Sequence, residues 1–396
     1  MSPRSRRELI LATSERYLRS TREAKGRILT EFCAATGLHR KSAIRRLRHP
    51  PEEETKRSHA RRSGRRRRYT ASVRAILVLV WEAMGRPWSV RLKAALPLWL
   101  RSVRRRQVIS GSIEDLLGAI SPRTIDRLLA SERRRSSRRL FGRTKPGTLL
   151  RREIPIQTAA WRTGSPGFTE MDLVSHSGAD ASGEFLHTLN VTDLETTWVE
   201  SRAVLGKGET GVVAALDEIS GELPFALRGV DSDNGSEFIN HHLLAYCKKR
   251  RIAFTRSRPY KKDDNAHIEQ KNWTHVRRIL GWDRYDSLEA LDAINDLYRN
   301  ELRLMMNLFQ PSVRLTGKQR LGARLVRRYD APRTPLDRLV DNGKGNAVRV
   351  ARLVKLRTAI DPFALSEAID RKLTKLFELA TRPSRGASST SRRAVA

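Results

Sequence analysis

The chain has 396 residues, more than one ordinary core accommodates, and carries 78 Lys and Arg against 43 Asp and Glu, a formal charge of +35. That field repels cations and favours a polyanion, nucleic acid above all, over small acidic substrates. Two isolated cysteines, Cys33 and Cys247, exclude a disulfide framework and disfavour structural zinc, and the most apolar run, "AILVLVWEAM" at 75–84, is broken by Glu82 and far shorter than the ~20 residues of a membrane span. The first residues, "MSPRSRRELILATSERYL", lack a signal-peptide apolar block, so a cytoplasmic, nucleoid-associated protein without a membrane partner is expected.

The charge is uneven: residues 1–150 hold 38 Lys and Arg and 12 Asp and Glu, and the remainder hold 40 and 31. Within 1–50, Ile28, Leu29, Phe32 and Cys33 recur at helical spacing, Gly37 offers a turn, and "HRKSAIRRLR" follows as a basic helix that Pro50 ends. Two helices joined at a glycine form a helix-turn-helix candidate, with His39, Arg40, Lys41 and Arg45 placed to meet bases or phosphates. A small helical hairpin with a solvated basic face fits the same pattern. Residues 51–70, with Pro51 following Pro50 and an arginine run, predict a basic linker.

Residues 71–133 return to helical periodicity and end in a second helix-turn-helix layout. Ser121 is the predicted cap, Pro122 the first helical residue, Ile125, Leu128 and Leu129 the apolar stripe, and Arg123 and Arg127 the charged side. A basic connector at 134–160 precedes a change of composition. Over 161–310, three β-rich runs, a helix, a strand, a helix and a strand predict an α/β core with a mixed five-stranded sheet, followed by two helical stretches at 265–280 and 287–309. Residues 311–383, basic and with alternating apolar residues in "AVRVARLVKL", predict a small β-rich C-terminal domain with a last helix at 362–380. A Ser/Arg-rich tail, 384–396, is expected to be disordered. The fold class is thus multidomain, with all-α helical modules, an α/β core and a basic C-terminal domain.

Three acids stand out in the α/β segment. Asp172 interrupts the apolar strand "FTEMDLV", where a carboxylate needs a partner. Asp233 follows the strand "FALRGV" and precedes Asn234-Gly235; Glu269 lies on a helix, "NAHIEQKNWTHVRRIL", that carries Asn265 and Asn272 on the same side. Hard carboxylate oxygens suit two-metal phosphoryl transfer with Mg²⁺, which requires neither Cys nor His. A carboxylate cluster in a basic protein then becomes, with divalent cations, a place where a phosphodiester is held and cut. Singly, each acid also fits a structural role: Asp-Asn-Gly is a good turn, and Glu269 can pair with Lys271 or Arg277.

The blocks "FTEMDLVSHSG", "VDSDNGSEFIN" and "YKKDDNAHIEQKNWTHVRR" resemble the three motifs of integrase-type DDE transposases of bacterial insertion sequences, a superfamily that includes retroviral integrases. The resemblance covers about residues 150–310, and 35 residues separate Asp233 from Glu269. "TEFCAATGLHRKSAIRRL" is similar to the helix-turn-helix of one insertion-sequence group, and "LMMNLFQPSVRL" to that group's sequence after the core.

The resemblance implies a ribonuclease-H-like fold and a catalytic, metal-binding triad of Asp172, Asp233 and Glu269 holding two Mg²⁺ ions, with Mn²⁺ able to substitute. It also implies that Asn234, Gly235, Glu237 and Phe238 shape the turn, and that Asn265, Lys271 and Arg277 touch DNA. The implied activity is cleavage at element ends and 3′-OH strand transfer on double-stranded DNA, by a homo-oligomer on paired ends, without ATP or zinc. No His-His-Cys-Cys module is present, so end recognition does not carry over from retroviral integrases. The alternatives are a nuclease of the same fold that never joins DNA, and an inactive DNA-binding regulator.

Overall fold

The computed structural model describes residues 3–50, 68–135, 164–232, 241–256, 271–321 and 324–381, and the chain divides into two units, Met1–Arg68 and Tyr69–Ala396. Most of the predicted linker, connector and tail lies outside the described residues, as do Asp233, Asn234, Gly235, Glu237, Phe238, Asn265 and Glu269.

The first unit is three helices, α1 (Pro3–Arg19), α2 (Arg22–Thr36) and α3 (Arg40–Arg48). Gly37, with φ of 67°, ends α2 in the left-handed conformation that glycine tolerates, and its N–H donates to the Cys33 carbonyl. His39 begins α3, its Nδ1 accepting from the Lys41 N–H. Ala43 and Leu47, four residues apart and both fully buried, turn one face of α3 onto Ile10, Tyr17, Ile28, Leu29 and Phe32. The opposite face is left to the cations.

The second unit is built on a five-stranded mixed sheet, as the sequence predicts: β1 (Phe168–Ser175), β2 (Leu186–Asp193), β3 (Val199–Leu205), β4 (Gly229–Ser232) and β5 (Ala253–Arg256), in the order β3-β2-β1-β4-β5. β2 is antiparallel to β1 and β3, whereas β4 runs parallel to β1 and to β5. The helices α8 (Glu209–Glu222) and α9 (His241–Arg250) make the two parallel crossovers. This order and these directions are consistent with a ribonuclease-H-like core.

After the sheet come α10, π-helical over Asn272–Arg277 and α-helical over Arg278–Leu280, and α11 (Leu288–Leu297), continued by π-helical turns at Tyr298–Leu302 and Met305–Phe309. This long helix covers the outer edge of β3 with amides in place of a strand. The Asn295 amide donates to the Ala203 carbonyl (3.0 Å) and its oxygen accepts the Ala203 N–H (2.8 Å); Asn307 does the same at Val199 (2.8 and 2.9 Å). An open sheet edge is thereby satisfied and closed to other chains.

Helices α4 (Ala71–Ala83), α5 (Ser89–Arg106), α6 (Gly111–Ala119) and α7 (Pro122–Arg135) belong to this second unit. Ser121 caps α7 as predicted, its Oγ accepting the Thr124 N–H. The four helices share one hydrophobic core with the rest of the unit. Trp99 on α5 is fully buried, meets Phe309 and Phe363 edge-on, and donates its indole N–H to the Phe309 carbonyl. Gln310 donates to the Met84 carbonyl and Arg91 to that of Pro311.

The β-rich C-terminal domain expected at 311–383 is corrected. A single hairpin, β6 (Leu315–Leu321) and β7 (Arg324–Tyr329), is followed by helices α12 (Pro335–Asn342), α13 (Ala347–Ala359) and α14 (Pro362–Glu378). "AVRVARLVKL" is helical because Val350, Leu353 and Leu356 recur at helical spacing on the half-buried side, and Asn346 caps the start by accepting the Arg349 N–H. The apparent alternation was a by-product of arginines interleaved with valines.

Three buried histidines give the second unit an acid-sensitive interior. Burial, with Arg277 and His187 nearby, pushes His176 down to about 3; burial, with Lys207, pushes His187 down to about 4; and burial drives His275 well below its usual value. Neutral in the fold, these rings take up protons near pH 6.5 once unfolded, so the stability they contribute is whole above pH 6.5 and is lost as pH falls toward 4 and 3. Urea midpoints are expected to drop between pH 7.5 and 5, and His176→Gln should make that drop shallower; an unchanged pH slope would assign the acid sensitivity elsewhere.

Candidate active site

Asp172 is the member of the expected triad that the described residues contain, and it sits in β1, the central strand. Its strand neighbour across the antiparallel pair is Asn190. The partner that a strand carboxylate needs comes from α10: the Asn272 amide donates to Asp172 Oδ2 at 2.6 Å, and the Leu173 N–H donates to Oδ1 at 2.8 Å. Asn190 donates in turn to Asn272 Oδ1 (2.8 Å), and Ser201 Oγ donates to Asn190 Oδ1 (3.1 Å). A relay therefore runs from β3 through β2 and α10 to the carboxylate, fixing both the α10 register and the Asp172 rotamer.

The relay occupies one face of the sheet. Thr188, Asn190 and Thr192 alternate along β2 on that face and are all buried. Thr188 Oγ1 lies 2.7 Å from His176 Nε2 and 2.9 Å from the Tyr298 hydroxyl. The alternating Thr and Asn residues of "HTLNVTD" are the signal that could have marked Asn190, which lies outside the three motif blocks; Ser201 has no comparable signal. Asp231, the first aspartate of the "VDSDNG" block, stands opposite Glu170 in the parallel β1–β4 pair, is buried, and accepts from Thr255 Oγ1 at 2.6 Å. Its place is inside the sheet.

Two of the residues expected to touch DNA, Lys271 just before α10 and Arg277 on it, are held by the fold. Lys271 is buried, donates to the Thr197 carbonyl at 3.3 Å, and is pushed down to about 7 by burial and then by Arg91 and Arg338. Arg277 is half-buried, stacked 4.2 Å over the Trp282 ring and directed at Ser175 Oγ. A buried ammonium and a stacked guanidinium hold α10 to the sheet. His39, Arg40, Lys41 and Arg45 on the first unit and Arg123 and Arg127 on α7 are all exposed.

Among the described residues, no three His, Cys, Asp or Glu side chains converge as metal ligands. The donors present fit magnesium by chemistry: a carboxylate is a hard oxygen ligand, and Asn272 and the Leu173 N–H orient it without themselves cancelling its charge. A cavity of about 210 Å³ in the second unit, lined by Met84, Arg91, Met305, Gln310 and Ile369 among others, does not include Asp172. No helix among the described residues is long and apolar enough to cross a membrane.

A protein of Sinorhizobium fredii (strain NBRC 101917 / NGR234), uncharacterized protein y4rM, is 42% identical over 346 residues, covering 85% of this chain and 96% of the relative. The chain belongs to the y4rM family. No family model matches it. Among solved structures, the chain is similar to the catalytic core domain of BIV integrase (15% identity, 45% of this chain and 95% of that one, TM-score 0.29). It is also similar to the HTLV-2 integrase catalytic core domain in complex with magnesium, in dimeric form (15% identity, 37% and 91%, TM-score 0.28). The fold of this y4rM-family member is defined by the strand order given above, not by those overlaps.

Proposed function

We propose that the chain is a DNA transposase of the integrase-type DDE class of bacterial insertion sequences, cleaving phosphodiesters at element ends and joining the freed 3′-OH to target DNA. The observation that carries the reading is Asp172, a carboxylate on the central strand of a mixed sheet, oriented by Asn272, which lies three residues after Glu269 in the same motif block. The last described pair of β1 with β4 is Met171 with Ser232. Asp172, Asp233 and Glu269 would hold two Mg²⁺ ions, which supply activation of the attacking oxygen and stabilisation of the leaving one.

The chain's own residues do the rest. The relay from Ser201 through Asn190 and Asn272 holds the Asp172 carboxylate in one orientation. Exposed Arg40, Lys41 and Arg45 on α3, with Arg123 and Arg127 on α7, supply cations for duplex DNA, with His39 beside them, and Asn234 and Gly235 would shape the turn after the second acid. Oligomerisation on paired ends belongs to the same proposal.

The test incubates the full chain and Mg²⁺ with duplexes carrying the DNA that flanks the coding region, then maps nicks and joined products. Expected are new 3′-OH ends and strand-transfer products, both lost on chelation. Cleavage without joining would return the nuclease reading, and DNA binding without cleavage the regulator.

A further inference from the structure

The hairpin β6–β7 is a ribbon of its own. Its sheet has two strands, and neither is paired with another described strand. Hydrogen bonds and ion pairs tie its base to the rest of the fold. Arg314 bonds Asp330 through its N–H at 2.7 Å and Glu195 through its guanidinium at 2.6 Å. Arg338 grips Asp330 and the Ser312 carbonyl, and Ser312 Oγ lies 2.5 Å from Thr197 Oγ1. Thr197 is the residue whose carbonyl accepts Lys271, the neighbour of Asn272. The ribbon is therefore rooted on the β2–β3 turn and, through it, on the helix that orients Asp172.

Beyond the base, residues 315–329 contain Lys318, Arg320, Arg324, Arg327 and Arg328 and no acid. Lys318 stands directly opposite Arg327 in register, and Gly317 opposite Arg328. Like charges facing each other across a two-stranded ribbon oppose its formation, and such a ribbon is marginal already. A few charges suffice to keep an open edge from pairing with another chain, but that protection does not call for opposed cations. A polyanion relieves the repulsion. Seven residues of strand reach about 20 Å, and a two-stranded ribbon fits the major groove of B-DNA.

We infer that the β6–β7 ribbon is an arm that lies along double-stranded DNA, its five cations meeting backbone phosphates next to the face that carries Asp172. This rests on the DNA reading above and adds a binding surface to it.

The experiment measures binding of the full chain to a duplex over a range of salt concentrations. Lys318→Gln, Arg320→Gln, Arg327→Gln and Arg328→Gln combined should flatten the slope of log affinity against log salt by about 0.9 for each phosphate that is no longer neutralised. Combined substitution of Lys248, Lys249, Arg371 and Lys375, four exposed cations on α9 and α14, should change it less. Lys318→Arg with Arg327→Lys, which keeps the charge, should retain the wild-type slope. Should the fourfold variant lose its helical circular dichroism, Arg320→Gln and Arg327→Gln singly serve instead, each with a slope change of about 0.9. A wild-type chain that binds duplex DNA while the arm variants keep its slope overturns the arm alone. A wild-type chain without affinity for DNA overturns the arm together with the reading beneath it. Preference for double-stranded RNA of the same length overturns the choice of DNA.

Discussion

Asp172→Asn is expected to lower metal-dependent DNA cleavage about a thousandfold or more while leaving the thermal midpoint and DNA affinity close to wild type. The size follows from the chemistry assigned to the carboxylate: an amide neither carries the charge that divalent ions require nor offers two equivalent oxygens. The fold has little reason to object. Asp172 is half-buried, and an Asn side chain of the same shape can still accept from the Asn272 amide or the Leu173 N–H. Asn272→Ala should act one step removed, costing about ten- to a hundredfold in activity or metal affinity, because it frees the Asp172 rotamer and leaves Asn190 without its acceptor. Full cleavage activity in Asp172→Asn, assayed on the same duplex as wild type, would take Asp172 out of the chemistry.

Trp99→Ala carries the largest expected effect on stability, about 3–5 kcal/mol by urea unfolding of the full chain. Trp99 is where three separate stretches of sequence meet: α5, the end of the long helix at Phe309, and α14 at Phe363. Truncation removes a fully buried indole, its edge-on contacts with two rings and the hydrogen bond to the Phe309 carbonyl, and leaves a cavity that rigid helices close poorly. Trp99→Phe should recover part of the loss, since ring packing returns while the carbonyl stays unsatisfied. Loss below about 1 kcal/mol would mean that α4–α7 add little to the stability of the sheet, contrary to their shared core.

The sheet was legible because its five strands are short, apolar and separated by turn residues or by helices of crossover length, and β-strand patterning survives without knowledge of what covers it. Asp172 was legible for the complementary reason: an acid inside an apolar run is a local contradiction, and contradictions of that kind call for a partner. The Gly37 turn and the Ser121 cap were likewise read from single residues whose backbone preferences are intrinsic. "AVRVARLVKL" was not, because a ten-residue window with valines at 348, 350 and 354 satisfies period two and period 3.6 together, and only the Asn346 cap and the half-buried side of α13 choose between them.

What the sequence determined by itself is therefore local: the mixed five-stranded order of elements, the helical first unit, the basic surplus and the aspartate out of place in β1. The tertiary structure alone decided which side chains meet. It set Asn272 against Asp172 across 100 positions of sequence, turned Lys271 inward to Thr197, closed the β3 edge with Asn295 and Asn307, and left β6–β7 paired with no other described strand. The reason is physical: backbone preference and hydrophobic period act over a few residues, whereas satisfying a buried amide or carboxylate depends on whichever distant groups the packed core brings within about 3 Å.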